Sequence, residues 1–271
     1  MNYDPIKDRL GAIFNLSPVL QRLFYRLLGL FFLRSWYVKR EVRALLKASS
    51  GNAHILDAGT GFGQYTWWIL RRWDRAKVLA VDVKEDYLAA FDNFLRSQGM
   101  SGRVQLQVCD LTQTSFDPDI DLILSVDVME HIEDDRAVFQ NFERSLKPGG
   151  FVLINTPSDL GGSDVGSGSE ESFIGEHVRD GYNRAELEQK LRDAGLNPVK
   201  SIYTYGTPGS AAWSLLIKWP MLLLHRSFGF LILLPFYYAI TLIPSLVLNR
   251  WDMGRPNSEG TGLIVIAQKP S

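Results

Sequence analysis

A single cysteine, Cys109, is all the thiol chemistry in 271 residues. That excludes a disulfide-stapled scaffold and a Cys-rich zinc module. Net charge is nearly absent as well: 29 Lys and Arg stand against 30 Asp and Glu, leaving −1. No internal repeat is visible. With 46% apolar and 22% charged residues, the composition is that of a globular chain, not a disordered or collagen-like one. The length suits one large domain or one domain with an appendage. The opening residues MNYDPIKDRL have no apolar core of the kind a secretory signal needs. With one cysteine, a cytosolic location is the expectation.

The charge balance is informative only by segment. Residues 1–50 hold 9 Lys and Arg against 3 Asp and Glu, a net +6. Residues 51–210 hold 15 against 25, a net −10, and residues 211–271 hold 5 against 2, a net +3. Two basic ends, which also carry the long apolar runs, flank an acidic middle. A middle segment at −10 argues against nucleic acid as a partner, since phosphate binding needs a basic surface.

Ser17 and Pro18 open a helix predicted over residues 17–34. Leu20, Leu23, Phe24, Leu27 and Phe31 recur at helical spacing on one face, and Arg22 and Arg26 lie on another. A second helix is predicted over Trp36–Ala48. From Ala53 short apolar runs alternate with helical ones. Strands are predicted at 54–57, 77–83, 104–109, 120–126 and 151–155, with helices at 64–72, 85–97 and 134–146. The turn Lys147-Pro148-Gly149-Gly150 is expected to separate the last helix from its strand. This alternation indicates an α/β fold with a buried parallel sheet. Residues 157–172, rich in Gly, Ser and Asp, read as a loop. Asn183 with Glu186 opens a helix to Ala194, and strands at 199–205 and 262–268 close the chain.

The string HILDAGTGFGQYT follows the first strand and opens a helix. Gly59, Gly61 and Gly63 permit a tight turn and close approach of a ligand, and the helix N-terminus behind them offers free N–H groups. Gln64 stands where a dinucleotide fingerprint has its third glycine, and the Gly-Lys-Ser/Thr ending of a phosphate loop is missing. Asp57 would repel a pyrophosphate but suits a ligand with an ammonium or sulfonium charge. Asp82 ends the next strand, where a carboxylate can bond both ribose hydroxyls. Asp110 ends the third, placed to accept from an adenine amino group.

In these strings the chain resembles the class I S-adenosylmethionine-dependent methyltransferases, in the broad group that acts on small molecules and in ubiquinone biosynthesis. The matching residues are LDAGTGFG, VDV with Asp82 and Val83, VCDL with Asp110, SVDVMEHIEDD and LKPGG. They cover about 52–205 and resume at 261–268. The resemblance implies a Rossmann-like seven-stranded sheet with helices on both faces and an antiparallel hairpin as its last two strands. It implies S-adenosylmethionine as cofactor. Asp57, Gly59, Gly61 and Gly63 would cradle the methionine part, and Asp82 with Val83 would hold the ribose. Asp110 and Leu111 would flank the adenine, and Asp127 would lie beside the methyl group. His131 and His177 are the candidate bases for an acceptor that must lose a proton. Asp127, Glu130 and His131 raise the question of Mg²⁺, but no metal is expected.

Four segments follow: basic apolar helices at 1–50, a cofactor-binding domain at 51–205, an apolar helical insertion at 206–260 and a final strand at 261–271. Ser227–Asn249 runs 23 residues without a charge, long enough to suggest a membrane span. Paired flanking strands would bring both ends of the insertion to one side, so a single crossing is not expected. The preceding run, Ala211–Leu224, reaches only ~21 Å of a ~30 Å bilayer core, and Pro235 and Pro244 interrupt the longer one. A monotopic or re-entrant helical hairpin is the expectation. Trp213, Lys218, Trp219, His225, Arg226, Arg250 and Trp251 border the apolar runs, as suits a headgroup zone, and Arg22, Arg26 and Arg34 could join them. The expected function is methyl transfer to a lipophilic acceptor (a quinone precursor, phenol or lipid) at the cytoplasmic side of a membrane. The alternatives are a soluble acceptor under an apolar lid, or a non-catalytic membrane-bound module.

Overall fold

The computed structural model describes residues 17–47, 52–161 and 178–271. Seven strands form one sheet: β1 (His54–Ala58), β2 (Lys77–Asp82), β3 (Val104–Val108), β4 (Ile120–Val126), β5 (Leu146–Pro157), β6 (Asn197–Thr204) and β7 (Gly262–Gln268). Their order is β3-β2-β1-β4-β5-β7-β6. β1 to β5 run parallel, and β7 is antiparallel to both β5 and β6. The order reverses between β1 and β4, and open α/β sheets bind ligands beyond the carboxyl ends of the strands at such a reversal.

Side chains alternate across each strand, so the central strands feed two cores. Ile55, Leu124, Leu153 and Ile264 face one core, and Leu56, Ile123, Ile154 and Val265 the other. Helices α1 (Pro18–Phe31), α2 (Leu33–Leu45), α3 (Gln64–Arg72) and α4 (Glu85–Ser97) cover the first. Helices α5 (Asp135–Ser145) and α6 (Arg184–Asp193) cover the second.

The N-terminal region departs from the sequence pattern in two ways. The expected continuous helix over 17–34 breaks at Phe32, whose backbone is extended (φ −95°, ψ 112°). This corner lets α2 bury Leu33, Tyr37, Val38 and Val42 in the sheet core, which a straight continuation of α1 could not do. The buried side of α1 is also not its leucine stripe: Gln21 and Tyr25, one turn apart, are buried, while Leu23 and Leu27 are exposed. The Lys147–Gly150 segment, expected as a turn, belongs to β5. Gly149 takes φ +78° and the pairing with β4 shifts register there, because Gly149 and Gly150 also bond to Lys269 beyond β7.

Between β6 and β7 the insertion folds as helices: α7 (Thr207–Trp213), a π-turn (Ser214–Lys218), α8 (Trp219–Arg226), a 3₁₀ turn (Phe228–Ile232) and α9 (Leu234–Met253). Pro220 cannot donate to Leu216 four residues back, and the Trp219 N–H reaches Ser214 in the wider π pattern. Two carbonyls are thereby released. The Tyr238 hydroxyl donates to the Leu216 carbonyl at 2.9 Å, and the Tyr237 hydroxyl to that of Leu215 at 2.7 Å. Two tyrosines of α9 thus close the hairpin. Among the described residues no helix is long and apolar enough to cross a membrane.

Candidate active site

The chain leaves β1 at Ala58 and turns through Gly59, Gly61 and Gly63, all with left-handed φ (+79°, +53° and +79°). The Gly59 and Thr60 N–H groups donate to the Val81 carbonyl at 2.9 and 2.8 Å, folding the loop over the end of β2. A Cβ on Gly59 would collide with Val128, and one on Gly63 with the Phe91 ring. A Cβ on Gly61 would meet nothing within 4 Å. Packing therefore demands two of the glycines, and the middle one faces open space where a ligand can approach.

Asp57 lies buried under this loop. Its carboxylate accepts from the Thr60 hydroxyl at 2.8 Å and the Thr66 hydroxyl at 2.6 Å. Burial pushes its pKa up to about 6, against the pull of those two hydroxyls. Among the described residues no cation is paired with it, so a ligand ammonium or sulfonium fits its surroundings. Asp82 accepts the Gly61 N–H at 2.8 Å on one oxygen and the Lys84 N–H at 3.0 Å on the other. Each oxygen keeps a second acceptor site for a ribose hydroxyl. Val83 beside it is exposed. Asp110 is exposed and accepts from the Thr112 N–H and hydroxyl (2.8 and 2.7 Å) and from Gln113 (3.1 Å). Those bonds, the Thr112 hydroxyl first, hold its carboxyl below the usual range. Leu111 is buried, its carbonyl bonded by Asn141 at 2.9 Å. The strand ends thus bring Asp57, Asp82 and Asp110 to one edge of the sheet, as the sequence implied.

Asp127 stands just past β4. Ser125 pairs with Ala58 in the parallel register, so Asp127 lies level with the glycine loop. Its backbone is left-handed at φ +55°. It exchanges bonds with Asn155, accepting the side-chain amide at 2.9 Å and donating its N–H to the Asn155 carbonyl at 2.9 Å.

The sequence pattern did not reveal the partner of Asp127, which is Arg34 of α2. Arg34, one of the arginines that could have joined the basic borders of the insertion, points at the strand ends. Burial works against its charge, but Asp127 foremost among the neighbouring groups raises its pKa above the ordinary arginine value. The hairpin α1–α2 reaches the site at two further points. The Tyr25 hydroxyl donates to the Phe62 carbonyl in the glycine loop, and Ser35 and Tyr65 share a hydroxyl–hydroxyl bond of 3.3 Å. The only signal for these contacts was the tyrosine and arginine content of helices whose leucines suggested a different face.

Of the candidate bases, His131 ends a short 3₁₀ turn (Met129–His131) and is exposed. His177 lies outside the described residues. The neighbouring Glu130 is buried and accepts from Thr156 at 3.2 Å. Burial, and then the nearby Asp127 charge, raises its pKa. Among the described residues no group of three or more His, Cys, Asp or Glu is arranged to hold a metal ion.

A family model described as a methyltransferase domain matches residues 55–150. Phosphoethanolamine N-methyltransferase 1 of Arabidopsis thaliana is 32% identical over 148 residues, which are 54% of this chain and 29% of that protein. The chain spans under a third of the length of the phosphoethanolamine methyltransferases heading its curated relatives. Among solved structures, Haemonchus contortus phosphoethanolamine N-methyltransferase 2 in complex with S-adenosyl-L-methionine gives a TM-score of 0.57 at 22% identity, covering 86% of this chain and 53% of that one. Geranyl diphosphate C-methyltransferase from Streptomyces coelicolor A3(2) gives 0.55 at 15%, covering 87% and 81%. At these identities the structural likeness carries the fold alone. The matching family segment begins on β1 and ends in β5, enclosing the glycine loop and its carboxylates, and this segment accordingly carries a methyltransferase domain of the S-adenosylmethionine-dependent class I type.

Proposed function

We propose that the protein transfers a methyl group to a lipophilic acceptor at an anionic lipid surface. The cofactor supplies, when bound, a methyl already activated on a sulfonium. Catalysis by the chain's own residues is then largely orientation. Asp82 and Asp110 anchor the nucleoside, and buried Asp57 favours the cationic end. The glycine loop lets the backbone approach, and Asp127 borders the reacting edge. A hydroxyl acceptor would also need a base, for which His131 and His177 are the proposed groups. Glu130 is enclosed by Thr156 and the strand ends and holds its proton to higher pH than an ordinary carboxylate.

The observation that supports the lipid part is an inside-out helix. On α9, Phe236, Ile240, Ile243 and Val247 are 69, 76, 65 and 61% exposed, while Ser245, Asn249 and Asp252 are buried. Helices packed on a core in water show the opposite pattern. An exposed stripe of this kind marks an interaction surface. Exposed Trp219 and Trp251, with exposed Arg226 and Arg250, mark its ends, and residues 206–251 contain no Asp or Glu. Basic and aromatic borders on an apolar stripe favour an anionic lipid interface over an acidic or neutral protein partner. At 20 residues, α9 offers ~30 Å lying in the plane of such an interface.

A second reading, a soluble acceptor under an apolar lid, is favoured by the closure of the insertion on the N-terminal hairpin. Phe31 meets Tyr238 edge-on with ring centroids 5.2 Å apart. Flotation with vesicles of phosphatidylcholine, with and without phosphatidylglycerol, separates the two. Co-flotation with the anionic vesicles is expected, and protein remaining in the dense fraction with both would leave the lid reading. Radiolabel from methyl-labelled S-adenosylmethionine is expected in the organic phase of a membrane extract, and label confined to the aqueous phase would exclude a lipophilic acceptor.

A further inference from the structure

Among the described residues, only two that are not glycine have left-handed backbone: Asp127 and Tyr205, each at φ +55°. Such conformations cost free energy, more for a bulky tyrosine than for aspartate, and persist only where surrounding contacts impose them. Both residues touch the same partner. Arg34 forms an ion pair with Asp127 through Nη1, and its backbone N–H donates to the Tyr205 hydroxyl at 3.1 Å. That N–H lies in the first turn of α2, where helix donors lack partners, and Phe32 offers no side-chain cap. Arg34 Nε is buried with no hydrogen-bond partner among the described residues. Three segments distant in sequence therefore meet at one residue, Arg34: the N-terminal hairpin that carries it, the end of β4 at its guanidinium and the end of β6 at its backbone N–H.

Asp127 lies level with the glycine loop, and the next residue, Val128, packs where a Cβ on Gly59 would stand. Its carboxylate therefore borders the cationic end of a cofactor seated on that loop. From this we infer that Arg34 is a positioning residue of the methyl-transfer site: it holds the Asp127 carboxylate in its left-handed setting and balances its charge beside the sulfonium. The N-terminal hairpin is then part of the reacting centre, not only an appendage. The inference rests on the cofactor assignment and concerns one charge pair within it.

Charge balance has a signature that structural support lacks. S-adenosylmethionine carries a positive charge at sulfur, and S-adenosylhomocysteine does not. Their affinity ratio reports the field at that atom, and general destabilisation of the fold does not shift it. The measurement is calorimetric titration of the full chain with both compounds. Arg34→Met leaves the Asp127 charge uncompensated, so preference for S-adenosylmethionine is expected to rise about three- to tenfold. Arg34→Lys, which keeps the charge, is expected to stay near the wild-type ratio. Asp127→Asn, nearly isosteric, is expected to shift the ratio the opposite way by a similar factor. An unchanged ratio in Asp127→Asn, or in a folded Arg34→Met, overturns the inference. If Arg34→Met does not fold, Asp127→Asn alone decides. Wild-type protein that binds neither compound refutes the cofactor assignment instead, so the two failures are distinguishable.

Discussion

Asp57 carries its carboxyl where water is largely excluded, and under the proposed cofactor assignment this is expected to make cofactor affinity depend on pH. Its pKa is pushed up to about 6 by burial, above that of an unfolded-chain aspartate. Without ligand it is protonated below that value, and a cationic ligand prefers the ionised form. Affinity for S-adenosylmethionine is therefore expected to rise as pH increases through about 6, and Asp57→Asn to flatten the profile, both measured calorimetrically. The stability of the unliganded protein has the opposite sense. The folded state holds this proton more tightly than the unfolded one, so the contribution is full below the unfolded pKa and lost as pH rises through about 6. It amounts to about 3 kcal/mol. The glycines separate in the same way by what surrounds them. Gly63→Ala would drive a methyl into the Phe91 ring, and a large loss of thermal stability is expected. Gly61→Ala meets open space, so it should cost only about 1 kcal/mol of backbone strain, and cofactor binding is expected to weaken if the cofactor lies on the glycine loop as proposed.

At the scale of elements, buried polar bonds tie the insertion to the rest of the chain. Asp252, buried near the end of α9, accepts from the Tyr37 hydroxyl at 2.6 Å, the Gly209 N–H at 3.0 Å and Asn257 at 3.2 Å. Burial and then the Asp252 bond hold the Tyr37 hydroxyl protonated well above the usual tyrosine range. Asp252→Ala would strand those donors and is expected to destabilise the protein by about 3 kcal/mol, read as a lowered melting temperature. The exposed stripe should behave conversely. Phe236→Asp with Ile240→Asp is expected to leave the melting temperature nearly unchanged, since surface substitutions act within about 0.5 kcal/mol, and to abolish co-flotation with anionic vesicles. Retained co-flotation would remove α9 from the docking surface. At this scale periodicity was only a partial guide. It located both N-terminal helices, but it could not place the corner at Phe32 or identify Gln21 and Tyr25 as the buried side of α1. Those follow from what α1 packs against.

At the scale of the whole molecule, the hairpin α1–α2 ties the sheet core to the insertion. The hairpin α1–α2 contributes Tyr25, Leu33, Tyr37, Val38 and Val42 to the same core as β1 and α3, and it touches the insertion through Tyr37 and Arg40, which donates to the Met253 carbonyl at 3.0 Å. Removing residues 1–47 would expose that core and release α9. The truncated chain is expected to lose cooperative thermal unfolding and to bind a hydrophobic dye, whereas a merely peripheral appendage would leave the remainder with an intact transition.

The sequence alone determined the alternation of strands and helices, the glycine loop, the carboxylates at successive strand ends and the place of the insertion. Each of these is written in local spacing: period two in strands, period three to four in helices, and left-handed turns where glycine stands. Tertiary structure decided that Arg34 faces Asp127 across 93 residues, that two tyrosines satisfy the carbonyls freed at Pro220, and that α9 turns its polar side inward. These arrangements depend on which surfaces meet once the sheet has formed, and no local period in the chain encodes that meeting.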